Sequence, residues 1–68
     1  MTKVFAERLR KLRTERGLSQ QKLADMCGIG VVTVWDYENE KYTPTLYNAF
    51  VLADFFGVSL DWLVGRGE

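Results

Sequence analysis

The chain has no histidine, a single cysteine and a single proline, and no apolar run approaches the roughly 18 residues of a membrane span. Each absence removes a class of protein. Cys27 has no partner for an intramolecular disulfide, and without histidine or a second cysteine no ordinary zinc site can be assembled. The N-terminus MTKVFAERLRKLR is charged and amphipathic, unlike a signal peptide. The expectation is a soluble cytoplasmic protein of a reducing compartment, with no metal, no cofactor and no membrane partner. Catalysis is equally unsupported, because there is no histidine, no glycine-rich phosphate loop and no pair of carboxylates placed for a cleft. The chain is read as a non-enzyme.

What is present must fold by packing alone. Its 68 residues suit one domain, residues 1–68, near the lower size limit for an unassisted core, and no separate oligomerisation or ligand-binding domain is expected. With 47% apolar residues the core is attainable. The net charge is zero, but residues 1–22 carry seven Lys/Arg against two Asp/Glu, while residues 23–68 carry two against seven. That asymmetry permits a basic face, although a neutral chain has weaker non-specific affinity for nucleic acid than a strongly basic one.

Neither a repeat nor a low-complexity segment interrupts the sequence, and no apolar-polar alternation is long enough for a strand. The periodicity is helical. Phe5, Leu9 and Leu12 recur at i, i+4, i+7, Arg8, Arg10, Lys11, Arg13 and Arg16 fill much of the remaining circumference, and Gly17 ends the segment. Ser19 caps a second helix from Gln20 to about Met26, with Leu23, Ala24 and Cys27 inward; Lys22 leaves its capping box incomplete. A third helix runs from near Gly30 to about Asn39, with Val34, Tyr37 and Glu38 inward, and 39–44 is a loop. Thr45 caps a fourth, Leu46 to Phe56, whose inward face is assigned to Leu46, Ala49, Phe50, Ala53 and Phe56. Ser59 caps a fifth, Leu60 to Val64, closed by Gly65. The fold class is therefore all-α, a five-helix bundle in which helices two and three, joined through glycine, form a helix-turn-helix.

Several spaced motifs carry a family resemblance. Phe5, Leu9, Leu12 and Arg13 precede Gly17, Leu18, Ser19 and Gln20; Leu23, Ala24, Gly28 and Ile29 follow; then come Val34, Tyr37, Glu38, Asn39, Lys41 and Pro44. The run from Gly57 to Leu63, with Gly65, completes the set. Over about residues 5–65 the sequence resembles the phage repressor and Cro type of helix-turn-helix protein, the XRE family, whose lambda-repressor-like fold binds double-stranded DNA. The resemblance implies a second helix across the DNA backbone and a third in the major groove. It also implies backbone contacts from Gln20, Asn39, Lys41 and Tyr42, and a structural ion pair between Arg13 and Glu38. Where the family usually has glycine this chain has Glu40, which needs either a helical backbone or a strained left-handed one and brings negative charge close to phosphates. Other residues have plainer assignments. Arg10, Lys11, Arg16 and Lys22 suit a solvated face, Cys27 and Trp62 the core, Asp54 the surface, and Asp61 a helix first turn.

The outward side of the third helix would be Gly30, Val31, Val32, Trp35 and Asp36, with Thr33 at its edge. The resemblance makes these the base-facing positions. None is Arg, Lys, Asn or Gln, so bidentate readout of guanine or adenine is unavailable, leaving thymine methyls for the valines, a hydroxyl at Thr33 and a cytosine amino group for Asp36. Two functions stay open. One is a sequence-specific transcriptional regulator, a repressor, that binds operator DNA as a homodimer, with Leu60, Trp62, Leu63 and Val64 as candidate dimer or core residues. The other is a protein-interaction module that uses Val31, Val32 and Trp35 as an apolar patch for a protein partner.

Overall fold

The computed structural model describes residues 2–66. Five helices, α1 (Thr2–Glu15), α2 (Gln20–Cys27), α3 (Val31–Glu38), α4 (Leu46–Phe56) and α5 (Leu60–Val64), surround one cluster, and no strand occurs among the described residues. Phe5, Leu9, Leu23, Val34, Leu52 and Leu63 are the largest fully buried side chains, so every helix contributes to the same core. Full burial of each such side chain contributes about 1.5–3 kcal/mol.

The helix starts follow from short hydroxyl side chains. Ser19, Thr45 and Ser59 accept from the backbone N–H of Lys22, Asn48 and Trp62 respectively, at 3.0–3.1 Å. Gly30 occupies the equivalent position of α3 and has no side chain to offer. The helix ends share one closure, in which an N–H five residues on bonds back to a last-turn carbonyl: Leu18 to Arg13, Ile29 to Ala24, Lys41 to Asp36, Val58 to Ala53 and Arg66 to Asp61. This closure passes through a residue of positive φ. In four cases that residue is glycine; after α3 it is Glu40, at φ 62°.

Arginines of α1 and of the turn after it hold the ends of α3, α4 and α5. Arg16 donates to the Phe56 and Phe55 carbonyls at 3.1 and 3.4 Å, Arg10 to Glu38 O at 3.2 Å, and Arg8 to Trp62 O while lying over the Trp62 ring. Arg13 donates to Leu18 O at 2.8 Å in the turn after α1. C-terminal carbonyls have no partner within their own helix and carry the negative end of its dipole, so a guanidinium satisfies both needs. Arg13 is paired with the buried Glu38, while Lys3, Arg10, Lys11, Arg16 and Lys22 stay exposed and keep a basic face on the N-terminal segment. α1 also packs on α5 so closely that a Cβ on Gly65 would lie 2.7 Å from Val4 Cγ1.

One assigned face needs correction. On α4, Leu46 is 75% and Phe50 61% exposed, whereas Leu52 is fully buried with Ala49, Ala53 and Phe56. Because α4 is apolar around most of its circumference, periodicity alone does not choose its inward side, and its packing against α2 and α5 does. On α5, Leu63 is fully buried and Leu60, Trp62 and Val64 are half-buried against the core. Leu63 is therefore a core residue, while Leu60, Trp62 and Val64 pack on the core and keep part of their surface exposed. No helix among the described residues is long and apolar enough to cross a membrane.

Candidate nucleic-acid interface

α2 and α3 meet at a turn made by Gly28, Ile29 and Gly30. Gly28 takes φ 69° and its N–H returns to Ala24 O, after which Gly30 is extended and Val34 N–H bonds to Gly30 O at 3.2 Å. Leu23 and Ala24 of α2 and Val34 and Tyr37 of α3 are buried together, which fixes the two short helices against each other. Tyr37 is held further by an edge-to-face contact with Phe5 and by Asn48, which donates to its hydroxyl at 2.9 Å.

A carboxylate ties this pair to α1. Glu38 is 4% exposed, and Arg13 donates to it through two nitrogens, at 2.6 Å to Oε2 and 2.8 Å to Oε1. Gln20 Nε2 donates to the same Oε1 at 3.1 Å, and Arg10 Nε approaches it at 3.5 Å. Burial alone pushes the Glu38 carboxyl up, but the hydrogen bonds from Arg13 and Gln20, with the charges of Arg13 and Arg10, outweigh it and hold the group below the ordinary carboxylate value. Its hydrogen bond to Glu38, opposed by desolvation, raises Arg13 in turn. Both groups are fully charged at neutral pH. A bidentate pair of this kind fixes orientation as well as energy, and removal of one partner would strand a buried charge.

The remaining site residues lie on two neighbouring segments. On α3, Val32 is 68% and Trp35 50% exposed, so both present apolar surface outward. Thr33 and Asp36 are half-exposed. Val31, assigned to the outward side, is half-buried and packs against the core cluster, because it lies one turn before Val34 and shares that side of the helix. Asn39, Lys41 and Tyr42 follow in the loop and are all exposed. The Asn39 amide donates to Trp35 O at 2.8 Å, which leaves one amide hydrogen and its oxygen uncommitted. The Lys41 ammonium lies 5.6 Å from the Tyr42 ring centroid.

Sequence reasoning gave Gln20 a single role on the DNA backbone and missed its bond to Glu38. The partners are 18 residues apart, and no local pattern announces such a link. The acceptors of Arg8, Arg10 and Arg16 were missed for the same reason, since all are main-chain carbonyls of distant residues.

Comparison with known proteins agrees with this geometry. The helix-turn-helix family HTH_3 matches residues 9–63. Over 61 residues the chain is 43% identical to the SPbeta prophage-derived uncharacterized HTH-type transcriptional regulator YonR of Bacillus subtilis (strain 168), covering 90% of this chain and 56% of that protein. It is 37% identical over 65 residues to the cryptic phage CTXphi transcriptional repressor RstR of Vibrio cholerae, covering 96% and 59% respectively. The chain therefore spans little more than half the length of these curated relatives. Among solved structures, the restriction-modification controller protein C.AhdI from Aeromonas hydrophila superposes with a TM-score of 0.82 at 34% identity, over 91% of this chain and 94% of that one. With the family match running from the second half of α1 into α5, and the fold shared at that identity, the chain belongs to the helix-turn-helix family HTH_3, in its phage repressor and Cro type.

Proposed function

We propose that the chain is a transcriptional regulator, a repressor acting in the cytoplasm, that binds operator DNA as a homodimer with α3 in the major groove. The observation that carries this is the placement of α3. Its inner side is locked to α1 and α2 through Val34, Tyr37 and Glu38, while Val32 and Trp35 stand free beside an exposed loop. A helix presented this way is what major-groove docking requires. The names of the relatives, a phage repressor and a prophage-derived regulator, support the same reading.

In this arrangement Gln20, Asn39, Lys41 and Tyr42 position the domain on phosphates, and Val32, Thr33, Trp35 and Asp36 face base edges. Val32 and Trp35 make apolar contact with thymine methyls, and Asp36 accepts from a cytosine amino group. Phosphate contacts set register and the α3 face sets preference. Residues 1–68 act as one unit without metal, cofactor or catalysis. Two-fold symmetry follows from the short span of an eight-residue α3, which reaches a few base pairs, so half-sites about one helical turn apart match a dimer.

The half-exposed Trp35 beside Val32 also favours a second reading, a protein-binding patch. Selection from a random duplex library at low salt decides between them. The expected outcome is enrichment of a two-fold, T-containing site and loss of preference at one position in Asp36→Asn. No enrichment, with capture of a protein partner that Trp35→Ala abolishes, would establish the second reading instead.

A further inference from the structure

We infer that Glu38, besides joining α1 to α3, is the positioning residue that aims the Gln20 amide at DNA phosphate. The inference rests on the DNA-binding reading above and deepens it.

Gln20 is the first residue of α2 and its side chain is half-buried. A glutamine amide can present either its oxygen or its nitrogen to a neighbour, and a phosphate accepts only from the nitrogen. Glu38 removes that ambiguity. Its carboxylate can only accept, so it selects the Nε2 end of Gln20 at 3.1 Å and takes one of the two amide hydrogens. The second hydrogen on the same nitrogen stays available. Glu38 in turn cannot swing, because Arg13 grips both its oxygens and is itself held by Leu18 O. The chain of contacts thus runs from the turn after α1, through the ion pair, to the amide at the start of α2. Such preorganisation spares the ordering cost of a mobile side chain on binding.

A double-mutant cycle with Gln20→Ala and Glu38→Met tests this, read as affinity for a mixed-sequence duplex at low salt, with each protein's folded fraction checked by circular dichroism. Glu38→Met is expected to weaken binding at least about fivefold in the parent and less than about twofold in the Gln20→Ala background. Equal losses in both backgrounds would overturn the positioning role and leave Glu38 purely structural. Should Glu38→Met not fold, the side-chain amide resonances of Gln20 in the unaltered protein decide. The proposal expects one Nε2 hydrogen displaced from its free-amide position and slow to exchange, and the other to move when the duplex is added. Two signals at free-amide positions that ignore the duplex would overturn it. If Gln20→Ala alone leaves duplex affinity unchanged, the positioning role falls while the DNA-binding reading stands; if the parent binds no duplex, the reading itself falls.

Discussion

Replacing Glu40 by glycine separates two effects that its position combines. The residue closes α3 in the left-handed region, at φ 62°, where a side chain with a Cβ costs about 1–2 kcal/mol. Glycine removes that strain but gives back part of the gain through its larger unfolded-state freedom, about 0.4–1 kcal/mol. Glu40→Gly should therefore stabilise the domain by about 0.5 kcal/mol, measured by thermal or urea unfolding. It should also bind duplex DNA more tightly, since it removes a negative charge beside Lys41 and Tyr42. A destabilised variant would show that the Glu40 side chain makes a compensating contact.

At the scale of elements, α4 makes the sharpest test. Leu52→Ala should cost about 2–5 kcal/mol, because Leu52 is fully buried among four other helices' side chains. Leu46→Ala, at a position 75% exposed, should change stability by no more than about 0.5 kcal/mol. Equal costs would return Leu46 to the core. The same helix shows what was legible in the sequence and what was not. Its start at Thr45 and stop at Gly57 could be read because capping is local chemistry, carried by a hydroxyl and a missing Cβ. Its inward side could not, because apolar residues on nearly all sides leave the choice to tertiary packing. α3 is a mixed case. Val34, Tyr37 and Glu38 read as an inward set at i, i+3, i+4 and all three are buried, but Val31 read as outward and is half-buried, because Val31, Val32 and Trp35 leave the rest of that helix apolar too. At the candidate interface, the exposure of Val32 and Trp35 followed from the same periodicity. The second partner of Gln20 did not, since that contact exists only once α2 and α3 have met, whereas the Asn39 amide bonds locally, to the carbonyl four residues back.

For the whole molecule, the arginine placement bears on how binding responds to salt. With Arg8, Arg10, Arg13 and Arg16 engaged on carbonyls or on Glu38, the exposed cations carried by α2 and by the loop after α3 are Lys22 and Lys41. About two phosphates neutralised per protomer give a slope of about −2 in log affinity against log salt concentration. A slope steeper than about −5 per protomer would mean that the α1 arginines leave their carbonyls for phosphates. The close join of α1 to α5 reaches into synthesis of the chain as well. α1 leaves the ribosome first, yet the carbonyl that Arg8 grips belongs to residue 62 and those for Arg16 to residues 55 and 56. At about 5–20 residues per second, the first helix waits roughly 3–10 s for the last. Until then the Arg8 and Arg16 guanidiniums are free cations on a nascent chain, and the helix-turn-helix, already translated, has only part of the support that will fix it.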